Sequence, residues 1–312
     1  MSYRCARMAH VDAEAFTTMI APLRGELHAH CYRMLGSVHD ADDALQETLV
    51  RAWRAIGRLD DHAGLRPWLF RIATNRCLTM LTGRPRRELP AGVDAAWLEP
   101  YADEHLGPEA RTVARESIEL TFVVALQRLS ARQRAVLLLR DVLGFSSREV
   151  AEQLDSSVGA VDSAMQRARK ALDQADPGPS QQVTLAGLGE PAVRDLARRY
   201  TVAWESGDVD AIVGMLTADA RYSMPPLPLL YTGVPAIRGF LLDGPLDCRW
   251  RFRPATANGQ VAFGTYRWDD ERRAFVPGGL DLLRLRGDRV AEVVSFLEAD
   301  LTRFGLPATL PA

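Results

Sequence analysis

Phe145-Ser-Ser-Arg-Glu-Val-Ala-Glu-Gln-Leu-Asp-Ser-Ser-Val-Gly-Ala-Val-Asp-Ser-Ala-Met-Gln-Arg-Ala-Arg-Lys-Ala-Leu172 is the stretch on which the fold turns. Ser146 followed three residues later by Glu149 is a capping box, and it opens a short helix that points Val150, Ala151 and Leu154 inward. Asp155-Ser156 breaks that helix, and Ser157 can cap the next one. The second helix carries Val158, Val161, Met165, Ala168 and Leu172 on one apolar stripe. Its other side holds Ala160, Ser163, Gln166, Arg167 and Lys170. Two short helices joined by a tight polar turn, the second one basic toward its end, predict a helix-turn-helix whose second helix enters the major groove of DNA. A plain helical hairpin buried in a core would not leave that side polar and basic.

Charge blocks around the motif agree with a nucleic-acid partner. The net charge of −2 hides an alternation along the chain. Residues 62–87 hold six Arg and no acid, residues 88–119 hold eight acids against two Arg, and residues 128–148 hold five Arg against Asp141. Such blocks let a nearly neutral chain present basic footprints, although solvated faces produce the same pattern.

Upstream, the chain reads as helices. Residues 13–36 are mixed polar and apolar and stop at Gly36. Ser37 to Asp40 is a capping pattern, followed by Ala41, Leu45, Thr48 or Leu49, Ala52 and Ile56 at helical spacing. Pro67 sits in the first turn of a further helix, running to Thr82, whose polar face is Arg71, Asn75, Thr79 and Thr82. The predicted division is 10–83 helical, 84–108 an acidic Pro-rich linker, 109–173 helical with the helix-turn-helix, 174–189 a second linker, and 190–312 an α+β domain. Within the α+β domain, helices at 193–206 and 208–216 precede β-rich segments at 220–224, 248–257, 260–268, 280–286 and 290–297, with Arg286-Gly-Asp-Arg289 as a hairpin turn.

Leu129 to Leu154 resembles region 4 of bacterial RNA polymerase sigma factors of the extracytoplasmic-function group. Asp40 to Trp53, together with Pro67 to Cys77, resembles their region 2. Tyr200-Thr-Val-Ala-Trp-Glu-Ser-Gly-Asp208 and Ser223-Met-Pro-Pro226 resemble the SnoaL-like, cone-shaped α+β domain carried by the sigma-G and sigma-J types. The implied fold is multidomain: two all-α sigma domains followed by an α+β SnoaL-like domain.

The resemblance implies a factor that binds core RNA polymerase and directs promoter recognition, with activity modulated in cis by the C-terminal domain. Asp42, Asp43, Gln46, Glu47 and Arg54 would meet the clamp of the largest polymerase subunit, and region 4 would meet the flap. Arg66, Arg71, Asn75 and Arg76 would contact the −10 element. Trp68 and Phe70 are either stacking platforms for bases or plain core. Ala160, Ser163, Gln166, Arg167 and Lys170 would contact the −35 element. Where relatives often carry basic residues in the recognition helix, this chain has Asp162 and Ala164, so an unusual −35 preference is expected.

Trp97-Leu98-Glu99-Pro100 places apolar bulk inside the acidic linker and predicts a contact with the C-terminal domain. In that domain Asp219, Tyr222, Tyr231, Asp243 and Asp281 have the chemistry of an acid-base site, but no catalytic motif is visible, and an enzyme is not expected. No metal, nucleotide or other cofactor is expected; a Cys/His site around His28, His30 and Cys31 is outweighed by packing roles. Four cysteines without C-x-x-C spacing and the lack of long apolar runs suit a cytoplasmic protein without a membrane partner. An anti-sigma partner stays open. The rival reading, a helix-turn-helix regulator with a small-molecule-sensing domain, leaves the region-2-like helices unexplained.

Overall fold

In a computed structural model, residues 12–59, 64–82, 98–106, 115–175 and 179–312 are described. These residues fall into two units: residues 12–59, 64–82, 105–106 and 115–175 form one, and residues 98–104 and 179–312 the other.

The N-terminal unit is helical because its caps and apolar spacings are. Asp12 accepts from the Ala15 amide at 2.8 Å and starts α1 (Ala13–Leu35), which Gly36 ends in a left-handed conformation at φ 75°. Ser37 caps α2 (Val38–Ala55) through the Asp40 amide. These two helices pack with α3 (Leu65–Thr82) around Leu27, Tyr32, Leu69, Phe70, Ala73 and Cys77. Next come α4 (Leu120–Gln127) and α5 (Ala131–Leu137), the latter opened by a reciprocal Ser130/Gln133 capping box and continued by a π-helical turn, Leu138–Val142. The Ser146/Glu149 capping box opens α6 (Ser147–Gln153) as read from the sequence, and Ser157 caps α7 (Val158–Ala175) through the Ala160 amide. One expectation fails: Val158 is exposed, because at the first position of α7 it lies beyond the end of the stripe that α5 and α6 cover.

Buried arginines fasten the pieces of this unit together. The Arg134 guanidinium donates to the carbonyls of Leu126 (2.9 Å), Gln127 and Leu129 (both 3.3 Å), to Gln127 Oε1 (2.6 Å), and to Met34 O at the end of α1. A cation set against helix C-terminal carbonyls answers both their unpaired acceptors and the negative end of the dipole. Burial lowers the Arg134 pKa to about 10, which still leaves it charged at neutral pH. Arg33 of α1 donates to Ser117 O at 3.2 Å, and Gln127 Nε2 donates to Arg33 O at 3.4 Å.

The C-terminal unit opens with α8 (Gln181–Leu188), α9 (Glu190–Ser206) and α10 (Val209–Gly214). Strands β1 (Leu216–Ser223), β2 (Leu230–Thr232), β3 (Trp250–Ala257), β4 (Gln260–Asp269), β5 (Ala274–Arg286) and β6 (Arg289–Phe296) form one sheet, with α11 (Val234–Leu242) between β2 and β3. The sheet order is β2-β1-β6-β5-β4-β3; β1 and β6 run parallel and the other pairs antiparallel. One face of the sheet closes over Leu196, Tyr200, Trp204, Ile212, Ile237 and Leu241 from the helices. The C-terminal tail binds to the strands through Tyr266 Oη donating to Pro307 O (2.7 Å) and reciprocal Phe275–Leu310 backbone bonds.

Three elements depart from the sequence reading. Helix α8 lies inside the segment expected to be a linker; it is held by tertiary bonds, with Gln181 donating to Leu285 O (3.0 Å) and accepting from Leu285 N (2.7 Å). Strand β2 and helix α11 fall in a proline-interrupted stretch. Gly233 (φ 82°) turns the chain there, and Pro235 is tolerated in the first turn of α11.

Candidate functional site

Helix α2 buries Ala41, Ala44, Leu45, Thr48 and Ala52 and turns its other side outward. On that side Asp43, Gln46 and Arg54 are exposed and Glu47 is half-buried, beside Val50 (44% exposed) and Trp53 (38%). Sequence reasoning passed over Val50 and Trp53 as functional residues; two apolar side chains out of step with the buried stripe were the available signal. Glu47 pairs with Arg51 at 2.8 Å, and the Arg51 hydrogen bond holds its carboxyl below the usual range. Asp42 differs from the rest, because its Oδ1 lies 3.1 Å from Nε2 of buried His28. His28 in turn stacks on His105 with ring centroids 4.8 Å apart, where the chain presses on Gly25 so closely that a Cβ there would strike the His105 carbonyl. Burial, followed by the charge of His105, lowers the His28 pKa to about 4, so at neutral pH the ring is neutral.

The polar face of α3 is as read: Arg71, Asn75, Thr79 and Thr82 are exposed and Arg76 is half-buried. Phe70 belongs to the core, fully buried between His30 and Phe145, while Trp68 is half-buried. Two of the four residues expected at the −10 element are occupied by the helix-turn-helix half of the same unit. Arg66 donates to Glu26 (2.8 Å) and Leu143 O (3.2 Å), and its guanidinium lies 4.9 Å from the Phe145 ring centroid. Arg71 pairs with Asp155, in the turn of the helix-turn-helix, at 3.0 Å.

All five α7 residues expected at DNA, Ala160, Ser163, Gln166, Arg167 and Lys170, are exposed along one side of the helix. Ala164 lies in the core instead, which removes it as a point of departure. Arg169 is tied to Asp141 at 2.8 Å, so Arg167 and Lys170 are the exposed cations of α7 without an ion-pair partner among the described residues.

Of the linker residues, Leu98 is buried within the C-terminal unit, Glu99 and Pro100 are half-buried, and Trp97 lies outside the described residues. Sequence reasoning missed Tyr101, Ala102 and Asp103. Tyr101 is fully buried, its amide donates to Asn258 Oδ1 and its carbonyl accepts from Asn258 N, both at 2.8 Å. Ala102 bridges to Ala257, and Asp103 accepts from the Gly259 amide at 2.8 Å. The receiving element is the Asn258-Gly259 tip of the β3–β4 hairpin, with φ of 53° and 65°; Asn-Gly was the readable half of this contact.

The chain matches family models described as sigma-70 region 2 over residues 19–87, sigma-70 region 4 over 120–172, and SnoaL-like domain over 197–293. It is 42% identical to the sigma factor SigG of Mycobacterium tuberculosis, over 95% of this chain and 85% of the relative. The chain is an extracytoplasmic-function RNA polymerase sigma factor. This sigma factor is also 32% identical to SigJ of the same organism over 70% of its own length and 67% of the relative. The crystal structure of the Mycobacterium tuberculosis sigma factor SigJ superposes with a TM-score of 0.64 at 25% identity, covering 93% of this chain and all of that one. Among the described residues no helix is long and apolar enough to cross a membrane.

The SnoaL-like fold family includes enzymes, and the interior of this sigma factor's domain holds a polar cluster around Asp281. Asp281 is buried on β5, accepting from Tyr200 Oη at 3.3 Å and bonded to Ser295, with Tyr222 close enough to feel its charge. Of the other residues suspected there, Asp219 pairs with Arg286, Tyr231 stacks on Phe240 at 4.4 Å, and Asp243 is exposed at the end of α11. Burial raises the Asp281 pKa to about 6, against the pull of the Ser295 and Tyr200 hydrogen bonds, and pushes both tyrosines up. Folding therefore favours the protonated carboxyl: its full contribution to stability is present below about pH 4 and is lost as pH rises through about 6. The loss is about 3 kcal/mol at 1.36 kcal/mol per pKa unit. Thermal unfolding of the domain should show that decline between pH 4 and 7 in the parent chain. In Asp281→Asn the decline should be absent, with an unfolding midpoint above the parent's at pH 7.

Proposed function

We propose that this sigma factor exists in a closed form, that core polymerase opens it, and that the SnoaL-like domain biases the opening. The observation that carries the reading is the engagement of Arg66 and Arg71, expected readers of the −10 element, by Leu143 and Asp155 of region 4. Promoter elements about 25 base pairs apart lie about 85 Å apart at 3.4 Å per step. A compact body of about 150 residues has a radius of gyration near 15 Å, too small to reach both at once. Regions 2 and 4 must separate, and Arg66, Arg71 and Arg134 must exchange partners as they do so.

In the open form, the α2 side bearing Asp43, Gln46, Glu47, Val50, Trp53 and Arg54 meets the clamp of the largest subunit, and region 4 meets the flap while α7 enters the −35 major groove. Arg66, Arg71, Asn75 and Arg76 are then free to hold the −10 strand. The chain between the two regions is gripped through Leu98, Tyr101, Ala102 and Asp103 by the SnoaL-like domain, which shortens the span available to the connection. Modulation in cis follows from that grip, and the domain acts as a structural regulator without catalysis of its own. Chemistry stays with core polymerase.

Run-off transcription with purified core tests the grip. Tyr101→Ala combined with Asn258→Ala should change the yield of promoter-specific transcript at least threefold relative to the parent chain, and should speed proteolysis between residues 83 and 114. Unchanged yield and unchanged cleavage would leave the domain as a passenger.

A further inference from the structure

We infer that Asp162 is a base-reading residue that selects an exocyclic amine, that of cytosine, at one position of the −35 element. The inference rests on the reading of α7 as the recognition helix and adds a specificity to it.

Asp162 is exposed on α7, one turn before Gln166 and therefore on the adjoining part of the same side. Its carboxylate is held in place: Ser147 Oγ donates to Asp162 Oδ1 at 2.7 Å, joining the recognition helix to the start of α6. No cation neutralises it among the described residues. Arg148, next to Ser147, is paired with Glu152 at 3.3 Å, and Arg169 is paired with Asp141. A pinned, unneutralised carboxylate on a surface that binds a polyanion is repelled by every phosphate it approaches. It is compatible with the complex only where it points at a hydrogen-bond donor.

In the major groove the donors are the exocyclic amines of cytosine and adenine. Adenine sets its N7 acceptor beside the amine, so an acceptor-only carboxylate meets repulsion along with the bond. Cytosine presents N4–H₂ with no acceptor on the same base edge. Guanine, with two acceptors, and thymine, with a carbonyl and a methyl, offer the carboxylate nothing. The Ser147 bond occupies one side of Oδ1 and leaves Oδ2 to accept from the base.

The test is selection of duplexes randomised across the −35 element by the holoenzyme, formed from the full chain and core. The parent should enrich cytosine at one position of one strand. Asp162→Ala should flatten that position, losing discrimination of roughly 5- to 100-fold, while the other positions remain read. Asp162→Asn should move the preference at that position to adenine, whose N6 and N7 match a side-chain amide. If Asp162→Ala instead tightens binding to all sequences alike and leaves preferences unchanged, while Gln166→Ala alters them, Asp162 is a repulsive surface charge and the inference is wrong. If Gln166→Ala also leaves every preference unchanged, the placement of α7 as the recognition helix falls with it.

Discussion

Core polymerase should fail to retain a chain carrying Asp43→Lys and Glu47→Lys. Both acids lie on the outward side of α2, which also carries Val50 and Trp53, and neither contributes to the core of the N-terminal unit. Glu47 does hold Arg51 in an exposed i,i+4 pair, but solvent screens such a pair and it contributes little to the helix. Helix content and unfolding midpoint should therefore stay close to the parent's. In the proposed docking of α2 on the clamp, the same reversal would set like charges face to face where opposite charges are expected to meet. A loss of at least 100-fold in core affinity is expected, with steeper salt dependence in the parent than in the variant. Asp42→Ala is the companion variant: its carboxylate is engaged by His28, so its loss should weaken core binding less than the double reversal does.

The second large effect concerns Arg134, which stands between α4 and the end of α1. Arg134→Met keeps much of the side-chain length and removes every donor. The carbonyls of Leu126 and Met34 are then left buried without that partner, at about 1–3 kcal/mol for each stranded acceptor. A total near 3 kcal/mol lowers the unfolding midpoint of a unit this size by roughly 6–12 °C. Because one of those bonds crosses from region 4 to region 2, the variant should also open more easily, and region 2 should become more susceptible to protease before core is added. An unfolding midpoint within 2 °C of the parent's would remove Arg134 as a fastener.

The helix-turn-helix was legible because its signals are local. The Ser146/Glu149 capping box, the Asp155-Ser156 break and the spacing of Val161, Met165 and Ala168 lie within one short stretch, and caps and periodicity need no tertiary information. The same holds for the outward sides of α2 and α7 and for the hairpin turn at Arg286 to Arg289. What escaped the sequence was long-range. Helix α8 depends on an amide pairing between Gln181 and Leu285, 104 positions away, and its own composition reads as a linker. The grip of Tyr101 on Asn258 joins residues 157 positions apart. The occupation of Arg66 and Arg71 could not be foreseen either, because a cation on a helix face shows its charge in the sequence and hides its partner. Phe70 is the converse case: both readings of an aromatic in a basic helix were open, and the approach of Phe145 settled it as core.

The distance between regions 2 and 4 is the measurement that bears most directly on opening by core. Labels at Ala21→Cys in α1 and Asp173→Cys in α7, both exposed sites, can be placed in a chain whose Cys5 and Cys248 are changed to Ser. Pulsed electron resonance or single-molecule energy transfer then reports their separation for the chain alone, with core, and with core and promoter. A short separation for the free chain, lengthening by tens of ångströms when core is added, is the expected result. A holoenzyme that initiates transcription from its promoter while the two labels keep the separation of the free chain would contradict it.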